Sequence, residues 1–163
     1  MALAPEPLTT GHTLNAFDSG VASLDDWLRR RALANQASGA SRTFVACDAG
    51  RVVAYYALAA SAVAPDASAG RFRRNMPDPI PVVVLGRLAI ARSHQGQGLG
   101  RGLFQDAARR VVYAADTIGI RGLLVHAISE DAKAFYVRLG LEPSPIEPMT
   151  LMVTVADLKA ALT

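Results

Sequence analysis

The apolar positions of this chain change period several times, and each change marks a predicted element. Leu24, Trp27, Leu28 and Leu33 recur at helical spacing. Ser23 precedes them as an N-cap, and Asp25 and Asp26 suit the positive end of a helix. A first helix is therefore predicted, ending near Ser38-Gly39, with Arg29, Arg30 and Arg31 on or beside its exposed side. Ser41 to Cys47 and Arg51 to Val63 read as two strands joined by the turn Asp48-Ala49-Gly50. Pro65 to Pro81 is rich in Pro, Gly and Arg and predicts an irregular connection. Val82 to Ile90 is continuously apolar apart from Gly86 and Arg87, as in a central strand. Leu103, Phe104, Ala107, Ala108, Val111 and Val112 then form a helical stripe, and that helix is predicted to run to about Ile118-Gly119. Gly122 to Ala127 is strand-like. Ser129 can cap a helix through Leu139, which Gly140 stops. Met149 to Val153 reads as a strand and Val155 to Leu162 as a terminal helix.

Between the central strand and the long helix lies Gln95-Gly96-Gln97-Gly98-Leu99-Gly100. Strand, glycine loop, helix is an arrangement that binds phosphate. Glycine permits positive φ and close backbone approach. The free N–H groups at a helix start point at an anion, and the helix dipole favours negative charge. A turn without a ligand needs one or two glycines, not three before a helix. The loop lacks the Gly-Lys-Ser/Thr ending of a nucleotide-binding P-loop. Neither Gly96-x-Gly98 nor Gly98-x-Gly100 has a glycine three residues on, where Arg101 and Leu103 stand, so a dinucleotide fingerprint is also excluded.

Composition narrows the picture. At 163 residues and 51% hydrophobic, the chain fits one domain, 1–163, with a sizeable core. No apolar run reaches the ~20 residues of a membrane span. Met1-Ala2-Leu3-Ala4-Pro5-Glu6-Pro7 has no basic segment leading into an apolar core, so no signal peptide and a cytoplasmic location are expected. The lone Cys47 sits in a strand-like run and reads as packing. With three histidines, it gives no metal-ligand spacing, and no metal is expected. His12 and His94 read as surface positions, His94 bordering the glycine loop.

Charge adds a direction. The net charge is only +3, but Arg71 to Arg110 holds eight arginines against Asp78 and Asp106, a local +6 that leaves −3 for the remainder. Arginine grips phosphate bidentately. Solvated helix faces account for Arg109 and Arg110, but less well for Arg71-Phe72-Arg73-Arg74 in a loop-like segment.

The spacing Gln95-x-x-Gly98-x-Gly100 resembles the Arg/Gln-x-x-Gly-x-Gly/Ala signature of the GNAT N-acetyltransferases, and the predicted element order is similar to theirs along nearly the whole chain. The resemblance implies an α/β (α+β) GNAT fold, a central mixed, twisted sheet splayed between its fourth and fifth strands and flanked by helices. It implies acetyl-CoA as co-substrate, held by Leu88, Ile90, Gln95, Gly96, Gln97, Gly98, Leu99, Gly100, Arg101 and Ser129. In such a site the pantetheine arm pairs with the strand ending Leu88-Ala89-Ile90, and a backbone N–H near Leu88 could stabilise the oxyanion. Tyr136 matches the tyrosine that the family places beside the coenzyme sulfur as general acid; helical spacing alone does not separate it from Phe135.

Phe17-Asp18-Ser19-Gly20, Leu24-Asp25-Asp26-Trp27-Leu28, Ser41-Arg42-Thr43, Tyr55-Tyr56-Ala57-Leu58, Pro79-Ile80-Pro81 and Gly86-Arg87-Leu88-Ala89-Ile90 resemble one subgroup, the acetyltransferase toxins of bacterial toxin–antitoxin pairs. Ala54 and Ala91 depart from it, where relatives often carry glycine and an acidic residue. That resemblance implies acetylation of the α-amine of aminoacyl-tRNA, a block of translation, and an antitoxin of the ribbon-helix-helix class. A homodimer is possible. Arg71, Arg73, Arg74 and Arg87 are the candidate tRNA-binding residues.

The residues fit such an acceptor. No strong general base is evident. An α-amine of pKa about 7.7–8 is partly neutral at pH 7, whereas a lysine amine at about 10.4 is not. His126 is the only nearby candidate base and reads rather as a structural or cofactor-side residue. Glu130 and Asp131 suit a helix N-terminus. Two other readings stay open, an acetyltransferase of a small amine or protein N-terminus and a non-catalytic acetyl-CoA-binding module. A cationic small amine would call for an acidic cleft, which the arginine excess opposes.

Overall fold

The computed structural model describes residues 3–162. Its strands are β1 (Glu6–Pro7), β2 (Arg42–Asp48), β3 (Arg51–Val63), β4 (Ile80–Ile90), β5 (Gly122–His126), β6 (Glu142–Pro143) and β7 (Thr150–Thr154). Its α-helices are α1 (Ala22–Arg30), α2 (Ala32–Ser38), α3 (Gly70–Arg73), α4 (Leu99–Ala114), α5 (Glu130–Arg138) and α6 (Val155–Leu162). The strands form one mixed sheet in the order β1-β2-β3-β4-β5-β7-β6. Among the described residues, no helix is long and apolar enough to cross a membrane.

The chain divides into two compact units. One contains the described residues up to Ala59 together with Gly86–Ala107. Its β2–β3 hairpin closes through Ala49 and Gly50, whose φ values of 53° and 78° give the tight two-residue turn that the sequence predicts. Tyr55, Val45, Phe17, Leu28 and Ala89 build its core. The Tyr55 ring stacks on Trp27, 6.0 Å between centroids, and its hydroxyl donates to the Leu24 carbonyl at 2.7 Å. That bond satisfies a phenol which burial would otherwise penalise.

The other unit contains Ala60–Leu85 and the described residues from Ala108 onward. Here β4 and β5 pair in parallel, Val82–Leu85 against Gly122–Val125, and β5 pairs antiparallel with β7. Phe72, Ile80, Val82, Leu124 and Met152 form its core. Gly122 has no substitute, since a Cβ there would lie 2.1 Å from the Val153 carbonyl oxygen and 2.6 Å from the Phe72 ring.

Several boundaries differ from the sequence expectations. The first helix is two helices, broken at Arg31. Leu24, Leu28 and Ala32 are all buried, so the apolar period continues through the break and conceals it. Its N-cap is Val21 rather than Ser23, with the Val21 carbonyl taking the Leu24 and Asp25 amides. Asp25 is buried and accepts from the Ser19 amide and hydroxyl, the latter at 2.6 Å. The long helix ends at Ala114, whose carbonyl accepts from the Thr117 hydroxyl at 3.2 Å and the Thr117 amide at 3.1 Å. Arg71-Phe72-Arg73 lies in the short helix α3 rather than in a loop, because Phe72 is drawn into the core. Strand β4 begins two residues early, at Ile80, and β1 and β6 were not expected.

Candidate active site

The glycine loop follows β4 after a single 3-10 turn, Arg92–His94. Gly96 and Gly98 take φ values of 76° and 81°, which side chains strain to adopt. Nothing lies within 4 Å of a Cβ built on either, so the backbone is open to close approach. Gly102 N–H bonds to the Gly98 carbonyl at 3.3 Å. Leu99, Gly100 and Arg101 therefore form the first turn of α4, where amides lack intrahelical acceptors. This is the geometry of an anion site, and the residues present fit a phosphate group.

The side chains around the loop hold its shape. Gln95 donates from Nε2 to the Ser19 and Ile90 carbonyls, both at 2.8 Å, so its amide braces the loop entrance. His94 is largely covered, with Nε2 2.7 Å from Asp48 and Nδ1 2.7 Å from the Ser93 hydroxyl. Arg92 N–H bonds to the Asp18 carbonyl at 2.8 Å. A hollow of about 300 Å³ beside the loop is lined by Leu3, Asp48, His94, Gln97 and Leu99. Leu88 and Ile90 are half-buried on β4, alternating with the buried Ala89.

His94 is thus not a free surface residue, and neither is His12. The His12 ring takes the Thr9 N–H on Nδ1 at 2.9 Å, which places its proton on Nε2, 2.8 Å from Glu6. Sequence spacing shows no metal set, yet the fold brings donor atoms of Glu6, His12 and Cys47 within 4.8 Å of one another. An ion at His12 Nε2 would have to displace that proton. Burial, and then the Glu6 charge, push the Cys47 thiol pKa up, away from the thiolate.

The second set of residues belongs to the other unit. Ser129 caps α5, its hydroxyl accepting from Ala132 N–H at 3.1 Å, with Glu130 and Asp131 exposed in the first turn. Tyr136 is buried on α5, whereas its neighbour Phe135 is half-exposed. Burial pushes the Tyr136 phenol up to about 12. It therefore stays protonated across the neutral range. His126 stands exposed at the end of β5, its Nδ1 3.0 Å from the Thr150 hydroxyl.

The arginines divide by environment. Arg71 forms a two-pronged pair with Asp157, both contacts 2.8 Å, which holds the Asp157 pKa down. Arg121, not singled out from the sequence, donates to the Phe72 and Arg71 carbonyls at 2.8 Å and pins α3. Arg73 and Arg74 are exposed. Arg87 is half-buried, its guanidinium carbon 4.4 Å from the Trp27 ring centroid in a cation–π contact. The Arg121 and His94 contacts join residues far apart in sequence, and no local pattern announces them.

Comparison with known proteins identifies the family. The family description "Acetyltransferase (GNAT) domain" matches residues 39–143. A tRNA-acetylating toxin of Mycobacterium tuberculosis is 51% identical over 98% of this chain and 96% of its own length. The structure of the toxin AtaT complexed with acetyl-methionyl-tRNAfMet superposes with a TM-score of 0.91, at 31% identity, covering 99% of each chain. That of a mutant AtaT bound to the C-terminus of the antitoxin AtaR and acetyl-CoA gives 0.86 at 31% identity, over 100% of this chain and 99% of that one. With its glycine loop opening α4 and with more than half its length matched, the chain belongs to the GNAT acetyltransferase family.

Proposed function

We propose that this acetyltransferase is the toxin of a toxin–antitoxin pair, moving an acetyl group from acetyl-CoA to the α-amine of aminoacyl-tRNA and so blocking translation. The observation that carries it is similarity over almost the entire chain to a tRNA-acetylating toxin, at 51% identity. The fold shared with AtaT, which is known with acetylated tRNA, with acetyl-CoA and with antitoxin, supports the same partners here. The family match runs through both units and supports reading 1–163 as one catalytic domain.

Acetyl-CoA supplies the thioester. The open backbone of Gly96 and Gly98 and the first-turn amides of Leu99, Gly100 and Arg101 suit its pyrophosphate. Gln95 holds that loop rather than reaching outward. Leu88 and Ile90 offer a half-buried strand edge for the pantetheine arm, and a β4 amide near Leu88 is suited to polarise the carbonyl. Tyr136, neutral at working pH, donates a hydrogen bond toward the departing sulfur and delivers its proton as charge develops there. Ser129 contributes by setting the start of α5, the helix that carries Tyr136.

Arg73 and Arg74 suit the tRNA backbone, since both are exposed, Arg73 at the end of a short helix anchored by Phe72 and Arg121 and Arg74 just after it. Arg71 is partly committed to Asp157, and Arg87 to Trp27. The test is product identity. After incubation with acetyl-CoA and total charged tRNA, nuclease digestion and mass spectrometry should reveal N-acetylated aminoacyl-adenosine. No such product, alongside robust acetylation of a polyamine or peptide, would replace this reading with that of a small-amine or N-terminal acetyltransferase.

A further inference from the structure

We propose that His126, fixed by Thr150 and Glu147, is the base that takes a proton from the acceptor's α-ammonium group; the proposal rests on the aminoacyl-tRNA reading above. His126 and Thr150 are register partners in the β5–β7 pair, so the pleat puts their side chains on one face of the sheet. His126 Nδ1 lies 3.0 Å from Thr150 Oγ1, and that hydroxyl donates to Glu147 Oε2 at 3.3 Å. With its own proton directed at Glu147, the Thr150 oxygen is left to accept. Nδ1 must then carry the imidazole proton, and Nε2 keeps a lone pair.

The support is built deliberately into the chain. Thr150 is buried, so its hydroxyl has little freedom. The buried Ser144 hydroxyl accepts from the Ile146 and Glu147 amides at 3.3 and 3.2 Å, closing the turn that presents Glu147. Thr150 N–H bonds to the Glu147 carbonyl at 2.9 Å and holds the turn to β7. A carboxylate, a hydroxyl and an imidazole in series leave an outward Nε2 in the tautomer that accepts protons. Among the described residues no charged side chain is bonded directly to the ring, and Glu147 acts on it through Thr150. His126 is exposed and follows Val125, the last residue paired to β4. It therefore sits at the carboxyl end of a parallel strand pair, where ligands of α/β sheets bind. Three residues later comes Ser129, the N-cap of α5, which carries Tyr136.

The balance closes. His126 Nε2 takes one proton from the α-ammonium. The freed lone pair forms the C–N bond to the acetyl carbonyl carbon, and the C–S bond breaks. The second amine proton compensates the one Tyr136 gives to the sulfur, and His126 returns its proton to water.

The experiment follows kcat and KM against pH with charged tRNA and acetyl-CoA. His126→Ala should lower kcat by ~10²-fold near pH 6.5 with little change in KM. The deficit should shrink above about pH 8, where an α-amine loses its proton unaided. Added imidazole should restore part of the rate, which a merely structural role would not allow. Thr150→Val, close in shape, should cost roughly tenfold in kcat through misplacement of the ring. His126→Gln serves if the Ala variant fails to fold, and should show the same deficit. Full kcat across the pH range in a folded His126 variant would overturn the base assignment while leaving the function intact. Failure of the wild-type protein to acetylate charged tRNA would instead overturn the function.

Discussion

At the residue scale, Tyr136 bears the sharpest demand. Tyr136→Phe removes one oxygen from a buried side chain and keeps its volume, so fold and acetyl-CoA affinity should persist. Turnover should fall ~10²–10⁴-fold, the usual cost of a positioned proton donor. Wild-type turnover in the variant would move the acid elsewhere. The phenol itself can be followed by its ultraviolet absorbance, as the difference between wild type and variant. It should ionise near 12 rather than 10. Burial raises the folded value above that of the unfolded chain, so stability from this group holds below about pH 10 and is lost as pH rises toward 12. The motif around Tyr136 was legible from sequence, and its burial separates it from Phe135. The relay behind His126 was not legible, because Thr150 and Glu147 reach it only through the β5–β7 register. His12 and His94 misled for a similar reason: their partners Glu6 and Asp48 lie six and forty-six residues away.

At the element scale, the glycine loop and α4 form the part of the site that sequence conveys best. Strand, loop and helix are contiguous, so local pattern suffices. Gly98→Val should leave the fold intact but abolish acetyl-CoA binding, since φ of 81° is forced out of range and a side chain enters the open face. Calorimetry showing unchanged affinity in a folded variant would contradict the anion-site assignment. The break at Arg31 and the end of α4 at Ala114 could not be read from periodicity. The first is bridged by Leu24, Leu28 and Ala32, and at the second the Ala114 carbonyl accepts from the Thr117 hydroxyl and amide and from the Ile118 amide. The helical turn at Arg71–Arg73 is legible only once Phe72 is seen in the core of its unit. A charge cluster on an anchored helix is a firmer surface than one in a loop. Replacing Arg71, Arg73 and Arg74 together with Ala should raise KM for charged tRNA strongly and leave acetyl-CoA binding nearly unchanged. Wild-type KM should climb steeply with salt, because each phosphate contact releases counterions, and the triple variant should climb less. Equal KM and equal salt dependence in the two proteins would remove these arginines from the interface.

At the scale of the whole molecule, the order of elements and the uneven charge point the same way. The arginine excess from Arg71 to Arg110 favours a polyanionic acceptor over a cationic one. An α-amine is already partly neutral near pH 7, and a histidine is matched to the modest task of deprotonating it. These features meet in the claim that the acceptor is an aminoacyl group carried on tRNA. The most direct measurement is release of CoA thiol, with the acceptor as the only variable. Charged tRNA should drive rapid release, the same tRNA after deacylation should drive none beyond background, and a polyamine should do no better than deacylated tRNA. Release with the polyamine equal to that with charged tRNA, or no difference between charged and deacylated tRNA, would contradict the account.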